Sequence, residues 1–182
     1  SAGRHSPVGY QSERVIMVSA RILYAAHEGT YVVKFVGDVR VPLCACLESF
    51  LDRMFADGSL KSVLIDLSET EGIDSTALGL IAKIAVSLKE RLHRKPVILS
   101  TNPDVNRILS SMGFDRVFVI VNKAPAIDEP LDELPMVEPS QQDITRQVIE
   151  AHRVLIGMNA KNHATFRDLV EALECEEKDA RS

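Results

Sequence analysis

Two consecutive segments restrict the fold of this chain more than any other feature. Val63-Leu64-Ile65-Asp66-Leu67 is a short, nearly all-apolar run, the pattern of a strand covered on both faces. Leu78, Ile81, Ile84, Ala85, Leu88 and Leu92 then recur at helical spacing, with Lys83, Ser87 and Lys89 off the stripe. A strand buried on both faces needs helices against it. Strands alternating with helices pair in parallel through right-handed crossovers.

The remaining periodicity extends that pattern. Arg21–Ala26 and Tyr31–Val36 are β-rich runs separated by His27-Glu28-Gly29-Thr30, a hairpin signal, and Gly37-Asp38 ends the second run. Leu43, Leu47, Phe50, Leu51, Met54 and Phe55 mark a helix closed by Asp57-Gly58. Pro96–Ser100 reads as a further strand, Asn102–Gly113 as a short helix, and Arg116–Val121 as the last strand. The expected architecture is α/β: a mixed central sheet of about five strands with helices packed against it.

Four regions follow. Residues 1–19 read as a flexible leader and 20–122 as the α/β domain. Residues 123–139 contain four prolines and a run of acids, the composition of a linker without regular structure. Residues 140–178 read as a helical tail, with Ile144, Val148, Ala151 and Leu155 on one face and Phe166, Leu169, Val170 and Leu173 on the next. Such helices pack on the domain, on each other in a homodimer, or on a partner, and the residues leave all three open.

A net charge of -5 argues against a nucleic-acid binder. No apolar run approaches the roughly 18 residues of a membrane span, so the expected location is cytoplasmic. Cys44, Cys46 and Cys175 lack the spacing of a zinc site and read as core-lining thiols. No metal or cofactor is expected.

Chemistry concentrates at Ile73-Asp74-Ser75-Thr76-Ala77-Leu78-Gly79-Leu80. Asp74 reads as a helix N-cap and Ser75 as the first helical residue. A hydroxyl there faces the positive end of the helix, which tolerates a phosphate. The preceding Asp66–Gly72 stretch reads as a loop in which Asp66, Glu69 and Glu71 join Asp74 in an acidic cluster.

The strand and helix order, with Leu64-Ile65-Asp66-Leu67 ahead of Ile73–Leu80, resembles the STAS domain, and more narrowly the bacterial anti-sigma factor antagonists. Ser100–Val105 and Leu109–Phe114 resemble the family's late strand and helix. The resemblance implies that Ser75 accepts phosphate from a GHKL-type serine kinase that is also the anti-sigma factor. Thr76 is the lesser candidate, and a PP2C-type phosphatase resets the switch. It also implies a partner-binding loop built from Asp38, Asp66, Glu69, Glu71, Asp74, Ser75 and Thr76. Many antagonists end the second strand with Gly-Glu-hydrophobic-Asp; here Gly37-Asp38-Val39-Arg40 places a base at the last position.

Enzyme readings find little support in the residues. Ser75 lies in no Gly-x-Ser-x-Gly elbow and has no evident His partner, and no phosphate-binding Gly-rich loop is present. His152 reads as a surface histidine of the tail. Two classes of non-enzymatic function remain: a phosphorylation-switched antagonist, and a non-switching STAS scaffold subunit of a transport or stress-signalling complex.

Overall fold

A computed structural model describes residues 20–125 and 128–182; the expected leader at 1–19 lies outside the described residues. Strands β1 (Arg21–His27) and β2 (Thr30–Val39) form an antiparallel hairpin closed by the pair His27 and Thr30. Its two loop residues, Glu28 and Gly29, have φ of 48° and 82°, the handedness that matches the twist of the flanking strands. Gly29 is also fixed by crowding: a Cβ there would lie 2.0 Å from the Ser59 carbonyl oxygen.

Helix α1 (Cys44–Ala56) follows a 3-10 turn at Val41–Leu43. Strand β3 (Ser62–Ile73) leads into helix α2 (Ser75–Leu92), then β4 (Val97–Leu99), α3 (Pro103–Ser111) and β5 (Val119–Val121). With a short strand β6 (Asp132–Glu133) at one edge, the sheet order is β5-β4-β3-β2-β1-β6, parallel from β2 to β5. The mixed α/β sheet with surrounding helices is therefore present, with six strands rather than about five.

The sixth strand, β6 (Asp132–Glu133), comes from the stretch expected to lack regular structure. It pairs antiparallel with β1, and Leu134 beside it is buried. The free edge of β1 offers unpaired backbone groups, and one apolar side chain anchors the segment across them.

Several strand ends differ from their sequence expectations: β5 begins at Val119 rather than Arg116, because Phe114–Arg116 forms a 3-10 turn, and β2 and β3 run long. β2 does not stop at Gly37-Asp38 but runs to Val39, with Gly37 at φ 84° and a register shift between Gly37 and Asp38. β3 does not stop at Leu67 either: Asp66–Gly72 is strand, not loop, and stays paired with β2 out to Val39 and Ile73. Bulges absorb the irregular sequence without ending the ladder.

Helix α4 (Gln141–Met158) packs on α2, and α5 (Ala160–Arg181) packs on α4. Of the three arrangements open to the tail, packing on the domain is the one seen. Ser140 caps α4 through the Asp143 N–H at 3.1 Å. Asn159 caps α5, and both Asn159 and Asn162 donate to the Met112 carbonyl at 3.2 and 2.9 Å. The core joins the sheet, α1 and α2 to Ala151, Leu155 and Phe166 of the tail.

The hairpin geometry yields a stability prediction. Gly29→Ala combines a left-handed φ with a backbone clash, and should destabilise the fold by about 2–4 kcal/mol, read as a lower urea midpoint at unchanged slope.

Candidate functional site

The site lies where β2 and β3 end together and α2 begins. Asp74 is the α2 N-cap, with extended backbone. Its carboxylate accepts from the Ala77 N–H at 2.8 Å and from the Val41 N–H at 2.9 Å. Its own N–H donates to the Val39 carbonyl at 3.0 Å. One side chain therefore fixes both the helix start and the turn leaving β2. A carboxylate also suits the positive helix end.

Ser75 is the first residue of α2 and is half-buried. Its Oγ lies 2.8 Å from Nε2 of His152 on α4. The other ring nitrogen, Nδ1, lies 2.6 Å from the Val148 carbonyl. A carbonyl only accepts, so Nδ1 carries a proton. In the neutral ring Nε2 then accepts from the Ser75 hydroxyl. The ring is 1% exposed and packs edge-on against Phe166 at 5.0 Å between centroids.

His152 is thus no surface residue, and Ser75 does have a histidine partner. Sequence missed the pair because 77 positions separate the two residues. The available signal was weak: Gly79, Leu80 and Ala82 lie off the first apolar stripe of α2 and mark a second packed face. At Gly79 a Cβ would lie 2.2 Å from the Ala151 carbonyl oxygen. Only a residue without a side chain lets α4 come this close.

The remaining candidates separate into groups. Thr76 is buried, at 3% exposure. Asp38 is exposed and pairs with Arg40 at 2.6 Å, so the base replacing the second acid neutralises the first. Asp66 is buried, 3.8 Å from Lys34, and accepts from the Ser68 N–H and hydroxyl. Glu69 also pairs with Lys34. Glu71 is exposed. Asp66 lies roughly 26 Å along the chain from Asp74 at unbroken strand rise. The expected acidic loop is therefore an extended row with its far end neutralised. Asp38, Asp74, Ser75 and Thr76 share the strand-end region.

Cys44 and Cys46 are buried, whereas Cys175 is exposed rather than core-lining. Burial pushes the Cys44 thiol up to about 12, with the Asp74 carboxylate adding to the shift. Among the described residues no group of histidine, cysteine and acidic side chains is placed to hold a metal. No described helix is long and apolar enough to cross a membrane.

Comparison with known proteins supplies the context. A family model for the STAS domain matches residues 21–129. No curated protein matches the chain. Among solved structures, an anti-sigma factor antagonist from Mycobacterium paratuberculosis is similar at 24% identity and a TM-score of 0.49, covering 58% of this chain and 87% of the other. The anti-sigma factor antagonist SpoIIAA, in its unphosphorylated form, is similar at 14% identity and a TM-score of 0.50, covering 58% and 90%. At 14% identity the likeness to SpoIIAA concerns the fold alone.

Two outcomes test the local chemistry. Asp74→Ala removes a cap and leaves the Val41 N–H unpaired, and should cost about 2–4 kcal/mol in denaturant unfolding. With its folded value above that of an ordinary thiol, Cys44 stays protonated at pH 8. A maleimide should therefore label Cys175 alone in the native protein and all three cysteines after unfolding.

Proposed function

Starting from the STAS-domain family, to which this chain belongs, we propose that the protein is an anti-sigma factor antagonist switched by phosphate on Ser75. With the hydroxyl free it captures an anti-sigma serine kinase of the GHKL type; once phosphorylated it releases that partner. A PP2C-type phosphatase restores the binding form. The switch resides in the unit spanning 20–122, to which the 123–139 connection and the 140–178 helices are attached.

The observation that carries this reading is the placement of Ser75. It opens α2 directly after the Asp74 cap, beside N–H groups of the first turn that precede any intrahelical partner. A phosphoryl group adds about -1.5 to -2 charge there, and the helix end offsets part of the cost. The added charge instead acts on whatever docks at this surface, where Asp38 and Glu71 are exposed nearby. SpoIIAA, which shares the fold, is itself an antagonist described in an unphosphorylated form. Thr76, being buried, is set aside as an acceptor.

The Ser75–His152 pair favours one second reading, a base-activated nucleophile. Against it, the Val148 carbonyl rather than a carboxylate orients the ring, and the ring is buried under Phe166. We read this serine as acted upon, not acting. A fluorophosphonate probe should leave it unlabelled.

The deciding experiment treats the full chain with a purified GHKL-type kinase and ATP. The chain should gain the mass of one phosphoryl group at Ser75, and Ser75→Ala should abolish the gain. Ser75→Asp should weaken binding of that kinase by at least about tenfold, the size expected of an unfavourable charge at an interface. A constitutive scaffold would show neither effect.

A further inference from the structure

The Ser75 hydroxyl does not face open solvent alone; part of its surroundings is the chain's own tail. Besides the packing of Leu155 and Phe166 into the core, four contacts bind α4 and the start of α5 to the domain. Glu48 of α1 accepts from Gln147 at 2.5 Å and from Arg146 at 3.3 Å. His152 meets Ser75, and the Ala151 backbone rests on Gly79. Asn159 and Asn162 hold the Met112 carbonyl. Three of these contacts do not touch the serine. The second places a buried ring nitrogen on the one atom that phosphorylation would change.

We propose that α4 is a built-in gate over Ser75, with tail docking and phosphate on Ser75 mutually opposed. Esterification replaces the Oγ hydrogen by phosphorus, so the bond from Ser75 to Nε2 loses its donor. The added phosphate oxygens also need room beside a ring nitrogen that already lies 2.8 Å from Oγ. If the phosphoserine rotates toward solvent instead, Nε2 is left buried without a partner. Either route penalises the docked tail. The linkage is reciprocal: whatever favours docking disfavours phosphate on Ser75 to the same extent.

Gly79 makes the gate separable from the serine. A methyl group at this position forces α4 away from α2 while favouring the α2 helix itself. It changes no atom of the Asp74–Ser75–Thr76 turn.

The gate rests on reading Ser75 as a phosphate acceptor, so its test supplies the phosphate without a kinase. The full chain is made with phosphoserine incorporated at position 75, and amide hydrogen exchange is compared with that of the unmodified chain. Peptides of 141–158 should exchange at least about tenfold faster, while those of β2 and β3 keep their protection. Equal or slower exchange in α4 overturns the gate, slower exchange being the sign that a protonated His152 pairs with the phosphate. A kinase that fails to modify Ser75 would count against the functional reading alone.

A second arm guards against an unfolded variant. In a Cys175→Ser background, Ser75→Cys is labelled with maleimide, with and without Gly79→Ala. Undocking should raise the labelling rate at residue 75 by at least about tenfold. Equal rates would mean that α4 does not shield this position and would overturn the proposal.

Discussion

The Asp74 carboxylate holds two backbone N–H groups at once, one at the start of α2 and one in the turn that leaves β2. The ends of two neighbouring strands and the beginning of the helix between β3 and β4 are thereby fixed in one place. This matters because the first N–H groups of a helix have no partner inside it. With one donor claimed by Asp74, Ser75 is held at a defined position in a defined field. The extra length of β2 and β3, carried past two register shifts, delivers both ends to that carboxylate. Cys44 lies close enough for its thiol to respond to the same charge.

Helix α2 is the second organising element, because it is buried on two sides. Thr76, Ala77, Leu78, Gly79, Leu80, Ile81 and Ala82 are buried in unbroken sequence, which a helix on a single sheet face does not require. One side meets the sheet and α1, the other the tail. The close approach at Gly79 lets the α4 backbone reach α2, and this carries His152 to Ser75. A covered site and a stable tail therefore have the same cause.

Legibility in the sequence followed the range of the interactions. The hairpin turn, the alternation of strands with helices, the Asp74 cap and the capped start of α4 are local, and the residues that make them adjoin in the chain. The sequence pattern makes β2 and β3 look shorter than they are, because glycines and acids interrupt the apolar run while cross-strand pairing holds the ladder together regardless. Prolines and acids give the 123–139 segment the pattern of an irregular linker, yet β6 forms there on the free edge of β1 with one buried leucine. His152 was misread because a histidine on an amphipathic helix carries no mark of what covers it.

The sequence alone therefore determined the α/β class, the order of the elements, the helix start at Asp74 and Ser75 and the amphipathic character of the tail, since each depends on spacing within a few residues. The tertiary structure decided which surface the tail covers, which acidic residues are neutralised, and that Ser75 is half-buried while Thr76 is buried. Those outcomes depend on contacts between distant segments, and burial, not residue type, settles them. Asp38 beside Arg40, Asp66 beside Lys34 and Ser75 beside His152 acquired their chemistry only once the chain had closed on itself.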